Sequence, residues 1–294
     1  MAETTAAGPH DGRHWTVIEI SGRHAESFLD RMLSNTVADL DSTRAAGAFI
    51  LQPTGRIVSG GVFVRNDDGY LVLTAPDWAQ ALVAGLEKYK VAEDVVFAIH
   101  AQTARLLLAP TTVPVPAQPY GVVRSDDGIG VRIPWTGLDE VVWIGDIDAP
   151  TPDPETLTAE RIAAGTPAFG AELRTDVIPL EANAYDWLSH TKGCYVGQEV
   201  VERMWSRGRA AKRLAGFRGD AQTPPDLPCK LQGDGRATLT SSAVHPELGR
   251  IALGFASTVA ETTWEGDGTR WEQTTLPMAA ERVLPVRQPE GTQT

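Results

Sequence analysis

Cys194 stands between Gly193 and Gly197 in the octet Lys192-Gly193-Cys194-Tyr195-Val196-Gly197-Gln198-Glu199. Val200, Val201, Met204 and Trp205 follow at helical spacing. A thiol in a glycine-framed turn before a helix can be open to solvent and near the helix's first amides. Those amides, with Lys192 as a nearby cation, would raise the thiolate fraction and suit the sulfur to thiol chemistry. The same glycines equally suit a tight turn around a buried, inert cysteine, so residue types alone leave both readings open. No histidine or second cysteine lies at short ligand spacing, which argues against a metal site. His190, four residues before Cys194, is either a partner of the thiol or a polar turn residue. A partner must come within hydrogen-bonding reach.

Arg203, Arg207, Arg209, Lys212 and Arg213 form a basic cluster directly after this helix. They read as a solvated helix end whose cations favour the C-terminal dipole, or as a holder for the carboxylate of an anionic ligand. Trp205 reads as a core residue. No phosphate-loop or dinucleotide glycine signature is present, since Gly55-Arg56 and Gly60-Gly61 lack the spacing and the lysine. The other histidines (His10, His14, His24, His100 and His245) do not pair at metal-binding spacing.

The elements that must position these groups can be read from hydrophobic period. Residues 15–20 alternate as a strand, and a helix beginning at Ser21 or Gly22 carries Ala25, Phe28, Leu29, Met32 and Leu33 on one face. Residues 49–51 and 57–58 flank a turn at 53–56. Residues 62–64 and 70–73 form a hairpin around Asp67-Asp68-Gly69. Asp77 caps a helix with Trp78, Leu82, Leu86 and Tyr89. Residues 95–99 and 106–108 read as two strands, 110–119 as a proline-rich loop, and 141–144 as a strand. A helix over 155–164 ends at Gly165. After a break at 219–228, short strands such as 237–240, 251–255 and 262–264 predict a small β-barrel or sandwich. The first 13 residues read as frayed.

At 294 residues the chain has room for two or three domains. Its net charge of −12 is opposite to that of a general nucleic-acid binder. No segment is a membrane span or a signal peptide. The two cysteines, Cys194 and Cys229, make no disulfide scaffold, so a cytoplasmic location is expected. Cys229 matches no motif and reads as incidental.

The octet resembles the KGCYxGQE signature of the YgfZ family, folate-binding relatives of the glycine-cleavage T-protein aminomethyltransferase. Methyltransferases proper carry a different sequence there, without the cysteine. Arg161-Ile162, Gly165-Thr166-Pro167 and Gly170-Ala171-Glu172-Leu173 are similar to the family's RI..G.P..G.EL segment. Residues 178–182 are similar to its IP.EA segment, and Gly208 with Lys212-Arg213-Leu214 to its RG…R-L stretch. Residues 25–29 with 35–37, and the Gly55-Arg56-Ile57 turn, extend the likeness to the N-terminus.

The resemblance implies an α+β, T-protein-like ring of three parts around a central folate-sized cavity. Residues 1–109 and 110–218 form two α+β parts, the second carrying the octet, and residues 219–294 form a C-terminal β-barrel. It implies a tetrahydrofolate-binding accessory factor for assembly or repair of iron–sulfur proteins, with tetrahydrofolate or a one-carbon derivative as cofactor. Its partners are the folate and iron–sulfur client or assembly proteins, with no general nucleic-acid binding and no membrane. Glu181 would hold the pterin, since a carboxylate accepts two hydrogen bonds from an aminopyrimidine edge. Tyr185, Arg207 and Arg213 are the other cofactor-binding candidates, and Cys194 the reactive thiol. Where the aminomethyltransferases carry an acidic pair with a catalytic aspartate, this chain has Val58-Ser59-Gly60-Gly61, which supplies no carboxylate. A folate-dependent one-carbon transferase or demethylase, and a folate-free client-binding adaptor, are the alternatives; whether any reaction is catalysed stays open.

Overall fold

In a computed structural model, the chain is described over residues 9–208, 210–220, 224–233, 235–257 and 263–278. Its elements in order are β1 (His14–Ser21), α1 (Ala25–Met32), β2 (Ala45–Leu51), β3 (Ile57–Asn66), β4 (Gly69–Thr74) and α2 (Ala79–Glu87). There follow β5 (Val96–Leu108), β6 (Val122–Ser125), β7 (Gly128–Val131), β8 (Glu140–Ile144), α3 (Pro154–Ala164) and α4 (Gln198–Arg207). The last six strands are β9 (Lys212–Gly219), β10 (Cys229–Leu231), β11 (Ala237–His245), β12 (Gly249–Ser257), β13 (Thr263–Gly266) and β14 (Thr269–Thr274).

The first eight strands form one sheet in the order β2-β3-β4-β1-β5-β8-β7-β6. Its two edges come together where Ala45 N donates to Tyr120 O at 2.7 Å and Val122 N to Thr43 O at 2.8 Å, so the sheet curls toward a barrel. Curling removes the open edges that a flat sheet would expose. The sheet contains strands from both sides of residue 110. The last six strands form a second sheet, β10-β11-β12-β9-β14-β13. Gln232 and Glu265 exchange backbone hydrogen bonds of 2.6 and 3.0 Å and bring its ends together.

Helix α3 is set by local chemistry. Asp153 accepts from Thr156 N, Pro154 takes the first turn, and Gly165 ends the helix in the left-handed region at φ 80°. The chain then carries a buried polar knot. Arg161 Nη1 lies 3.1 Å from Glu172 Oε2, and Nη2 donates to Ser241 Oγ at 2.8 Å. Glu172 also accepts from Ala168 N and from the hydroxyls of Thr240 and Ser241, both at 2.6 Å. This knot ties the middle of the chain to β11. One apolar cluster spans all three parts, from Phe49 and Ile57 through Ile162, Phe169, Leu180 and Tyr195 to Leu214, Ile251 and Phe255.

Several expectations need correction. Residues 96–108 are one strand, not two. Its middle shows no apolar run because His100, Ala101 and Thr103 are exposed there. Helix α1 begins at Ala25, because Gly22 at φ 114° turns the chain against Asp94 O first. Asp77 caps nothing: it sits in a 3₁₀ turn (Pro76–Trp78), and Trp78 is the uncapped N-terminal boundary of α2. Trp78 and Tyr89 lie outside that helix. Thr262 and residues 1–8 lie outside the described residues.

Residues 9–13 are docked, not frayed. His10 N donates to Phe169 O at 2.9 Å, and its ring packs edge-on against Trp15 and Trp135 at 4.7 and 5.3 Å. Burial lowers the His10 pKa to about 4, with Asp11 opposing and Arg161 adding to the fall. The unfolded chain therefore binds the proton more readily between about pH 6.5 and 4. Stability gained from the neutral ring is whole above pH 6.5 and is lost as pH falls toward 4. The difference in urea midpoint between pH 7 and pH 5 is expected to shrink in His10→Gln. An unchanged difference would remove His10 from the acid response.

Candidate functional site

The segment 186–195 is seated on the strip that follows α1. Asn35 Nδ2 donates to Asp186 O at 3.0 Å, Ser34 Oγ to Trp187 O at 2.6 Å, and Ser189 N to Ser34 O at 2.8 Å. The Lys192 side chain, 2% exposed, passes its ammonium to Leu33 O at 2.8 Å and Asn35 O at 3.0 Å. Asp30 Oδ1 lies 3.5 Å away. Burial lowers the lysine's pKa, opposed by Asp30.

On the far side of the thiol, Gly197 begins α4 at φ 84°, pressed against the β2–β3 turn. A β-carbon there would lie 2.4 Å from Gln52 O and 3.1 Å from Gly55 Cα. Gly55, at φ 74°, is closed in turn by Val200. These two glycines are required by close approach and by backbone conformation. Gly193 is not: a β-carbon there meets nothing within 4 Å. Gly193 therefore makes no close approach, and the position faces open space. Cys194 itself is exposed. The buried-turn reading of this cysteine is overturned. The nearby lysine is turned away onto carbonyls, so the proposed influence of its charge on the thiol has no support in the geometry. Gln198 and Glu199 open α4, where Glu199 favours the positive end of the helix dipole.

His190 does not pair with Cys194. Its Nδ1 lies 2.7 Å from Glu202 Oε1, its ring stacks on Trp205 at 4.0 Å and 25°, and its buried Nε2 has no hydrogen-bond partner. Tyr195 is buried with its hydroxyl also unpartnered, and burial with Glu202 nearby raises its pKa. Trp205 thus serves as a platform for a histidine. Glu202 was missed by sequence reasoning, because its partner lies on the loop 12 residues earlier.

Glu181 is buried in a 3₁₀ turn (Pro179–Ala182), where its Oε2 accepts from Ile178 N at 3.1 Å. Lys212 Nζ, at the start of β9, lies 3.9 Å from the same oxygen and 4.8 Å from the centre of the Phe255 ring. Tyr185 stands edge-on to Trp205 at 6.0 Å, and its hydroxyl reaches Asn183 Oδ1 at 3.4 Å. Burial raises the Tyr185 pKa, with Arg213 opposing. Arg213 Nη2 donates to Gly208 O at 2.9 Å, while its buried Nε has no partner. Glu181 thus meets Lys212, Tyr185 meets Trp205 on α4, and Arg213 meets Gly208 at that helix's C-terminal end. Arg207 ends that helix and is exposed. Arg209 lies outside the described residues.

Ser59, Gly60 and Gly61 lie inside the first sheet. Ser59 Oγ donates to Trp78 O at 3.0 Å. A β-carbon at Gly60 would lie 2.7 Å from Ala48 O, and one at Gly61 2.8 Å from Leu73 O. The strand has neither a carboxylate nor room for one at the two glycines. Beside it, Trp78, Phe169, Trp187 and Phe49 pack ring on ring at 5.0, 6.0 and 4.8 Å. A cavity of about 230 Å³ adjoins these rings, lined by His10, His14, Asp77, Trp78 and Phe169 among others. Glu181, Tyr185, Arg207 and Arg213 are not part of its lining. It is smaller than the roughly 300–1,000 Å³ of sites that enclose a drug-sized ligand.

No protein-family model matches the chain. It is 27% identical over 252 residues to the tRNA-modifying protein YgfZ of Sodalis glossinidius, covering 77% of each chain. It is also 27% identical to an aminomethyltransferase of Rubrobacter xylanophilus, covering 89% of this chain and 78% of that one. Similarity extends to the mitochondrial iron-sulfur cluster assembly factor IBA57 homolog of Mycosarcoma maydis, at 27% over 85% of this chain and 70% of that one. Among solved structures, the glycine cleavage system aminomethyltransferase T of Bartonella henselae superposes with a TM-score of 0.72. That match has 16% identity and covers 93% of this chain and 86% of the other. The fold is accordingly that of the aminomethyltransferases, an α+β ring of three parts, and the sequence is related to the YgfZ proteins.

Proposed function

We propose that this chain is a tetrahydrofolate-binding accessory factor for the assembly or repair of iron–sulfur proteins. The observation that carries the reading is α4. At one end of this helix stands the exposed thiol of Cys194; at the other, Trp205 faces Tyr185 and Arg213 bonds the Gly208 carbonyl, with Lys212, next to Arg213 in the chain, reaching Glu181. One short element links a surface cysteine to residues whose chemistry suits a folate.

Those residues pass a test of fit. The unpartnered Arg213 Nε is a buried donor suited to an anionic ligand's carboxylate. Glu181 uses Oε2 on Ile178 N, and a carboxylate has about four acceptor positions, so capacity remains for an aminopyrimidine edge. Tyr185 offers an aromatic edge. When bound, a tetrahydrofolate supplies one-carbon chemistry. The work of this chain's own residues is to hold and orient it and to present Cys194 to a partner. The names of its relatives, an aminomethyltransferase and an iron–sulfur cluster assembly factor, support both halves. Another relative's name speaks of tRNA modification. With a net charge of −12, this chain is better suited to serve a modifying enzyme than to hold tRNA by its phosphates. An unpaired surface thiol suits a reducing compartment, and the cytoplasm is the location we propose.

The one-carbon transferase alternative is disfavoured by Ser59, Gly60 and Gly61, which offer no carboxylate to handle a proton. Calorimetry with tetrahydrofolate separates the lead from a folate-free adaptor. Binding is expected, and Glu181→Gln should weaken it by about 1.5–3 kcal/mol, because one acceptor oxygen becomes a donor. Absence of heat and of a thermal shift at saturating ligand would leave the adaptor. Normal affinity in Glu181→Gln would move the pterin contact elsewhere.

A further inference from the structure

We propose that Lys192 is the positioning residue of Cys194: its ammonium, seated on the carbonyls at the end of α1, fixes the loop that presents the thiol. The lysine acts through the backbone and not on the sulfur. The ties between 186–189 and the strip after α1 stop at Ser189. Thr191, Gly193 and Cys194 are exposed, and Gly193 has open space around it. Between Ser189 and the buried ring of Tyr195, His190 is tied to Glu202 and Trp205 on α4, and the Lys192 ammonium on Leu33 O and Asn35 O is the tie to the strip after α1. It also stands 5.8 Å from the centre of the Tyr195 ring.

The arrangement is favourable for a lysine. A helix C-terminus attracts cations, and the ammonium donates to two carbonyls with the Asp30 carboxylate 3.5 Å away as an ion-pair partner. The stem is buried, so methionine can fill its space but satisfies no acceptor. Two carbonyls would then lose their shared donor, and the loop its cross-link to α1. Gly193 needs no glycine for packing, so the space beside the thiol is left for whatever Cys194 meets. The functional half of this inference rests on the reading of Cys194 given above; the positional half does not.

The test is a nitroxide spin label on Cys194 in the purified full chain carrying Cys229→Ser, read by electron paramagnetic resonance, with no folate or client present. With Lys192 intact, an immobilised component is expected. Lys192→Met should lose that component while far-UV circular dichroism stays unchanged. The same variant with native Cys194 should reduce iron–sulfur enzyme activity in cells to the level of Cys194→Ser. Lys192→Gln, which keeps one donor, should give an intermediate spectrum and serves if the methionine variant fails to fold. A mobile label with Lys192 intact overturns the proposal without any variant. So does an immobilised label in Lys192→Met, or a mobile one with full activity where Cys194→Ser is inactive. If Cys194→Ser itself keeps full activity, the functional reading fails, and the spectra still decide the clamp.

Discussion

Glu172→Ala is expected to cost about 3–5 kcal/mol of folding stability, the range for breaking a buried ion pair from one side. Glu172 is fully buried and Arg161 nearly so. Removing the carboxylate leaves the guanidinium uncompensated. It also strips acceptors from Ala168 N and from the hydroxyls of Thr240 and Ser241. The loss concerns more than one contact, because the knot ties α3 and the segment after it to β11. Urea denaturation followed by tryptophan fluorescence measures it. The double change Arg161→Met with Glu172→Leu should recover much of the loss, since no charge is then left alone in the interior. A drop below about 1 kcal/mol in Glu172→Ala, the range of exposed pairs, would mean that water reaches the knot.

Cys194→Ser is expected to abolish support of iron–sulfur enzymes while leaving the molecule folded. The side chain is exposed, and substitutions at such sites usually stay within about 0.5 kcal/mol. Tetrahydrofolate affinity should also be unchanged, because Arg213 lies at the other end of α4 and Glu181 meets its neighbour Lys212. In the native protein one thiol should react quickly with an alkylating reagent. Cys229 is buried, and its pKa is raised by burial and by Asp267 and Asp226, so it should react only slowly. Retained activity in the serine variant would remove the thiol from the mechanism, whatever the folate data show.

Much of this architecture was legible because it is local. Period-two alternation marks β1, and Asp68-Gly69 marks the β3–β4 hairpin. Asp153, Pro154 and Gly165 frame α3, since caps and turns depend on neighbours in sequence. The octet pointed to the cysteine turn and to α4. The roles of its individual residues were less legible. Gly193 and Gly197 look alike in sequence, yet only Gly197 faces another backbone, that of the β2–β3 turn. Lys192 beside a cysteine suggests an activating cation. Its acceptors are carbonyls 157 and 159 residues away, which no local pattern reveals. Lys212 was visible as part of a basic cluster but not as the partner of Glu181, because β9 brings it there through the fold. The 3₁₀ turn at Pro76–Trp78 took Asp77 out of a capping position that its type and spacing suggested.

The most direct measurement is the activity of iron–sulfur enzymes in cells lacking this gene, complemented in parallel with the native protein, Glu181→Gln and Cys194→Ser at matched expression. The account predicts low activity without the gene and full recovery with the native chain. Recovery should be reduced with Glu181→Gln and absent with Cys194→Ser. Unchanged iron–sulfur enzyme activity on loss of the gene, or equal recovery by all three proteins, would contradict it.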